Sequence, residues 1–121
     1  MPSATGLQGP FRQVVEQQLL PFARSVDNRF HITSGRRTRE EQVRLYNQWL
    51  KGLSPFPALP PGHSQHERGW AVDIARFNVP AQDDELLREL GALWREAGGV
   101  WGGESDPVHF EAPRAWSGRG T

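Results

Sequence analysis

The chain has 121 residues with 14 basic and 14 acidic side chains, so its formal net charge is zero. That length sets one domain around a single modest core, and the balanced charge excludes long-range attraction to nucleic acid or an anionic membrane. Cysteine is absent, which removes disulfides and thiolate metal sites, and no apolar run approaches the roughly 18 residues needed to cross a bilayer.

Residues 1–9 read as a flexible lead, lacking the basic and apolar regions of a secretory signal. Pro10 suits the first turn of a helix running to about Ser25, with Phe11, Val14, Val15, Leu19 and Phe22 as its apolar stripe. Pro21 is expected to kink or shorten it. The alternating "RFHITS" (Arg29 to Ser34) predicts a strand. In "TREEQVRLYNQWLKG", Thr38 and Glu41 form a capping box; Val43, Tyr46 and Leu50 recur at helical spacing, with Leu45 and Trp49 widening the face and Gly52 as the stop.

The proline-rich stretch from Leu53 to Ser64 is loop. "WAVDIARF" (Trp70 to Phe77) predicts a central strand. Asp83 or Asp84 then caps a helix whose Leu86, Leu87, Leu90, Leu93, Trp94 and Ala97 line one face, ended by Gly98 and Gly99. "VWGG" and "PVHFEA" predict two short strands joined by a Gly-rich turn. The expected fold is α+β, a small antiparallel sheet with about three helices around it. One domain spans residues 10–116, followed by a tail at 117–121.

The chemistry gathers in "PGHSQHERGWAVDIA" and "SDPVHFE". His66, Asp73 and His109 are the ingredients of an open zinc site, three N/O ligands leaving a fourth position free. A divalent cation would also explain a carboxylate set between Val72 and Ile74. Asp106, three residues before His109, stands where it can take a proton from water at that open position. Glu111 lies two residues beyond His109 on the same strand face and can orient its imidazole. Spacing alone leaves a second reading open, in which these are hydrogen-bonded histidines and structural carboxylates.

Read as Ser-x-His-x-x-Gly-x-Ala-x-Asp, "SQHERGWAVD" resembles the zinc motif of the LAS metallopeptidases, the group of lysostaphin, D-Ala-D-Ala peptidases and hedgehog. Within that group the chain is similar to the D-Ala-D-Ala carboxypeptidase and L-Ala-D-Glu endopeptidase branch. "SGRRTREEQVRLY" resembles its Ser-Gly-x-Arg-Ser/Thr segment with the following Gln-x-x-Leu-Tyr, and "WGGESDPVHFE" its C-terminal Trp-Gly-Gly and acid-x-x-His-Phe-Glu segment. The resemblance implies zinc held by His66, Asp73 and His109, with Asp106 as general base. It implies Arg37 as a donor to substrate or oxyanion, the alternative being an ion pair with Glu40 or Glu41. Ser64 is expected to contact substrate or orient the His66 loop, and Gln42 to serve the site or the fold. His63, Glu67 and Arg68 are expected to be solvated, and His31 structural.

The activity so implied is zinc-dependent hydrolysis of peptide bonds in peptidoglycan stem peptides. Aspartate at position 106, where carboxypeptidases of the branch usually carry glutamate, tilts the expectation toward an endolysin-like L-Ala-D-Glu endopeptidase. A D-Ala-D-Ala carboxypeptidase is the alternative, and an inactive zinc-stabilised binding or virion-structural domain the alternative of another class. The expected partner is bacterial peptidoglycan, met by a monomer without nucleic acid or membrane insertion. Action at the cell wall without a leader fits a phage-encoded, virion-associated or otherwise exported protein.

Overall fold

Alternation along the strands divides the protein into two sides. The computed structural model describes residues 2–55 and 58–117. Strands β1 (Phe30–Ser34), β2 (Ala71–Arg76), β3 (Val100–Trp101) and β4 (His109–Glu111) form an antiparallel sheet in the order β1-β2-β4-β3. Successive side chains point to opposite faces. Phe30, Ile32, Val72, Ile74, Trp101 and Phe110 are buried in one core. Asp73 pairs across the sheet with His109, and Ala71 with Glu111, on the other face. The expected α+β architecture is therefore present, with the central strand β2 carrying hydrophobic residues to one side and an acid to the other.

Two helices cover the core face. The first, α1, occupies residues 9–26 in three continuous parts: α-helical Gly9–Val14, π-helical Val15–Leu19 and α-helical Leu20–Val26. Pro21 does not end it. The Leu20 N–H reaches back to the Val15 carbonyl, so the turn widens just before the residue that has no N–H to give. A strict four-residue spacing drifts around a regular helix, and the wide turn offsets part of that drift. Phe11, Val15, Leu19 and Ala23 are thus all buried. Phe22, expected on the stripe, is instead 49% exposed.

The last long helix, α4 (Glu85–Glu96), buries Leu87, Leu90, Gly91 and Trp94. Its cap is Asp84, whose side chain accepts the Leu87 N–H. Leu93 and Ala97, predicted on the buried face, are exposed. Gly91 lies so close to Trp101 that a Cβ there would come within 2.1 Å of the indole. Asp84 also meets Arg76 of β2 through a two-bond fork of 2.9 and 2.7 Å. Arg76 donates a further bond to Asp27. This ion network ties α4 and the end of α1 to the central strand.

Helix α2 (Arg39–Leu50) starts with both halves of the predicted capping box in place. Its predicted apolar face is not buried: Val43, Trp49 and Leu50 are exposed, and the residue it buries is Gln42. The core face of the sheet is already covered by α1 and α4, so α2 is held by polar bonds beside the other face. A short helix α3 (Gln65–Arg68) precedes β2.

Residues 2–9, expected as a flexible lead, pack onto the domain instead. Ala4 and Leu7 are buried in the core, and the Gln8 N–H donates to the Gly69 carbonyl. The predicted tail lies outside the described residues from 118 onward, as do residues 56 and 57 of the predicted loop. Among the described residues, no helix is long and apolar enough to cross a membrane.

Candidate metal centre and cleft

Three segments distant in sequence deliver one ligand atom each. Ser64 caps α3 by accepting the His66 N–H at 3.2 Å, and Gly69 closes that helix in the left-handed conformation (φ +79°). This single turn places His66, 2% exposed, at the head of β2. Asp73 follows from the site face of β2 and His109 from its cross-strand partner position on β4. His66 Nε2 lies 3.0 Å from Asp73 Oδ1 and 3.2 Å from His109 Nδ1. His109 Nδ1 is 3.5 Å from the same Asp73 oxygen.

The far side of each imidazole fixes which nitrogen faces inward. His66 Nδ1–H donates to the Gly35 carbonyl at 3.0 Å, and His109 Nε2–H donates to Glu111 Oε1 at 2.7 Å. With those protons committed outward, two nitrogen lone pairs and a carboxylate oxygen converge, and a positive charge is required among them. Burial disfavours the charged form of His109, yet its bonds to Asp73 and Glu111 outweigh burial and raise its pKa to about 9. Burial likewise opposes the charged form of Asp73, but the two histidines hold its carboxyl well below the usual range. A proton meets this demand in part. A divalent cation would meet it with all three donors at once, and the donor atoms of His66, Asp73 and His109 lie within 4.8 Å of one another. The donor set therefore fits zinc, as the sequence reading expected, and also suits other divalent ions.

Arg37 sits on the other oxygen of the ligand carboxylate. Its Nη2 donates to Asp73 Oδ2, its Nη1 to Gln42 Oε1 and its Nε to Ser34 Oγ, each at 3.3 Å. Gln42 in turn donates from Nε2 to the Leu59 carbonyl at 2.7 Å. Arg37 is thus turned inward, and the alternative of a surface pair with Glu40 or Glu41 does not describe its bonds. Gln42, 1% exposed, spends its amide on Arg37 and the loop.

Asp106 approaches from the turn after β3. Its Oδ2 is 4.0 Å from His109 Nδ1, and its side chain is 58% exposed. Although the side chain is more than half exposed, partial desolvation of the carboxyl and the negative charge of Asp73 shift its pKa upward from the ordinary value. Gly102 allows this approach, since a Cβ there would meet the Asp106 carbonyl oxygen at 2.1 Å. These groups open onto a cleft of about 510 Å³ whose walls include Thr33, Leu45, Leu59 and Val108.

Several residues fall outside this constellation. His31 stacks on Phe77 at 3.5 Å, the structural role expected of it. His63 is exposed and apart from the metal group. Glu67 and Arg68, expected to be solvated, hold the loop ahead of the motif: Glu67 accepts the Gly62 N–H and Arg68 donates to the Gly62 carbonyl. The Gly35 carbonyl was not expected at the site, although Gly35 belongs to the segment "SGRRTREEQVRLY". Side-chain chemistry gives no sign of a backbone acceptor.

Residues 59–112 match the family described as D-alanyl-D-alanine carboxypeptidase. No curated protein sequence matches the chain. Among solved structures, the vancomycin-resistance D,D-dipeptidase VanXYg with a D-Ala-D-Ala phosphinate analogue aligns at 20% identity and TM-score 0.66, over 93% of this chain and 55% of that one. The chain therefore spans about half the length of that relative. The D,D-pentapeptidase VanY in complex with Zn(II) aligns at 20% identity and TM-score 0.65, over 88% of this chain and 72% of that one. The Serratia marcescens L-Ala D-Glu endopeptidase ChiX aligns at 20% identity and TM-score 0.64, over 95% and 86%. At such identities the likeness is one of fold. Over residues 59–112 the sequence is similar to the D-alanyl-D-alanine carboxypeptidase family, and across the described chain the fold is similar to that of these three solved structures.

Proposed function

We propose that the protein is a zinc-dependent peptidase that hydrolyses peptide bonds in peptidoglycan stem peptides, as an endolysin-like L-Ala-D-Glu endopeptidase. One observation carries this reading: the inward atoms of His66, Asp73 and His109 converge on one cleft, with the Asp106 carboxyl beside them at 4.0 Å from His109. Zinc held by those three residues supplies Lewis acidity toward the scissile carbonyl and activates water near neutral pH.

The remaining work belongs to the chain. Asp106, open to the cleft and beside the ligand group, takes the proton of the attacking water and returns it to the leaving amine. Arg37 fixes the Asp73 carboxylate through Oδ2 and offers its cleft-side edge to a substrate carbonyl or carboxylate. Glu111 holds the His109 imidazole, Ser64 the His66 turn and Gln42 the Arg37 guanidinium. Two further arguments favour an endopeptidase: aspartate at position 106, and a cleft that is open to a polymer. The family description favours D-Ala-D-Ala carboxypeptidase as the second reading. Either enzyme works as a monomer on the bacterial wall.

Incubation with defined muropeptides tests the choice, since release of terminal D-Ala and cleavage after L-Ala give different products. The Asp106→Asn variant tests the chemistry. It should keep zinc and lose about 10²- to 10⁴-fold in hydrolysis. Equal wall digestion by parent and variant would overturn the assigned proton transfer, and zinc binding without any hydrolysis by the parent would indicate a binding or virion-structural domain.

A further inference from the structure

The ligand His66 is held through backbone atoms that side-chain motifs do not register. Its Nδ1–H donates to the Gly35 carbonyl, and its own carbonyl accepts the Arg37 N–H at 3.0 Å. Arg36 adds a bond from Nε to the Glu67 carbonyl at 3.1 Å. The loop at residues 35–37 and the helix α3 are therefore stitched together around one imidazole.

Both pieces are backed by the N-terminal segment. The Ser3 carbonyl oxygen lies against Gly35 so tightly that a Cβ on Gly35 would come within 2.3 Å of it. At Gly69, which ends α3, a Cβ would lie 3.1 Å from both the Gln8 nitrogen and the Gly6 oxygen. Gln8 donates from its backbone to the Gly69 carbonyl at 3.0 Å and from its side chain to the Arg68 carbonyl at 2.9 Å. Ala4 and Leu7 are anchored in the core between these contacts. One short stretch thus presses on the acceptor of His66 and on the cap of the helix that bears it.

We propose that Ser3–Gln8 is a positioning strap for the metal site, setting the orientation of His66 through Gly35 and Gly69. The segment acts by holding the Gly35 carbonyl where Nδ1–H must point. Removing an outer partner of a metal-bound histidine typically weakens metal affinity about 10- to 100-fold. A strap that holds such a partner should produce an effect within that range. The inference rests on the metal reading for its affinity arm and is independent of it for its spectroscopic arm.

The test compares the parent with Gly35→Ala, Gln8→Ala and a chain lacking residues 2–5. Zinc affinity is read by competition with a chromogenic chelator. The His66 Nδ1–H resonance is read by proton NMR of metal-free protein. A core variant remote from the site, Leu90→Ala, reports on loss of stability alone. The expected result is weaker zinc binding, by about tenfold or more in Gly35→Ala and the shortened chain and by less in Gln8→Ala, with faster exchange of the Nδ1–H. Leu90→Ala should melt earlier with unchanged zinc affinity. Should Gly35→Ala fail to fold, the shortened chain and Gln8→Ala carry the same comparison. Zinc affinity within twofold of the parent together with an unmoved Nδ1–H signal in the shortened chain overturns the strap. A parent that binds no zinc refutes the metal reading, and the NMR comparison then decides the strap by itself.

Discussion

Replacing Asp84 by Asn should destabilise the protein by about 2–4 kcal/mol without removing a helix cap. The Asp84 side chain is fully buried and Arg76 nearly so, joined by bonds of 2.9 and 2.7 Å, while Asp84 Oδ1 also accepts the Leu87 N–H. Breaking one partner of a buried ion pair costs about 3–5 kcal/mol. Two features reduce this. Asn remains a good N-cap, and Arg76 keeps Asp27 at 3.0 Å. The amide NH₂ would also face a guanidinium N–H, donor against donor, which returns part of the saving. Urea unfolding of metal-free protein measures the change. At this size, about 2–4 kcal/mol corresponds to a fall in Tm of roughly 8–15 °C. A loss below about 1 kcal/mol would show that the fork is replaceable by its neighbours and would refute the reasoning. The pH dependence gives a second reading. Burial raises the Asp84 carboxyl, but Arg76 and the Leu87 amide outweigh it and leave the pKa lowered. Its contribution is therefore present above the unfolded value of about 4 and lost as pH falls through the lower folded value. The Asn variant should lack that part of the acid dependence.

Zinc affinity should rise with pH up to about 9, because the ion must displace the proton that His109 retains to that point; a flat profile between pH 6 and 9 in chelator competition would refute this. In metal-free protein the sign reverses: pairing of protonated His109 with Asp73 and Glu111 stabilises fully below about 6.5 and is lost as pH rises through about 9, measurable as a fall in Tm. Gly102→Ala should lower hydrolysis about 10- to 100-fold, since its Cβ would displace the Asp106 backbone and press on the His109 Cβ at 2.9 Å; zinc content measured alongside separates the two effects, and unchanged kcat would count against both. Gly91→Ala should cost about 1–3 kcal/mol in urea unfolding by pushing the Trp101 indole, and a neutral result would mean that α4 can shift freely.

The parts of the fold that were legible in the sequence are those decided within a few residues. The Thr38–Glu41 capping box, the Asp84 cap and the β2 strand depend on local hydrogen bonding and alternation, and each stands where its residues place it. The convergence of His66, Asp73 and His109 was legible because Asp73 interrupts an apolar strand and the two histidines recur in ordered motifs. What escaped depends on competition between elements. The apolar positions of α2 have the right period, but α1 and α4 already cover the core face, so Val43 and Leu50 stay exposed. Polarity made the N-terminal segment look loose, whereas Ala4 and Leu7 supply enough apolar anchor to dock it. Nothing local in "VDIAR" pairs Arg76 with both Asp27 and Asp84, because those partners come from two other helices' ends.

The direct pairing of Asp73 with His109 across β2 and β4 has a bearing on how the sheet closes. Side chains alternate strictly, so sliding β4 by one residue would set Val108 or Phe110 opposite Asp73 and turn the imidazole away from it. Only the native alignment assembles all three donors. A bound ion would then select that alignment over its slipped competitors, acting during folding as a pin between two strands that share only a few rungs.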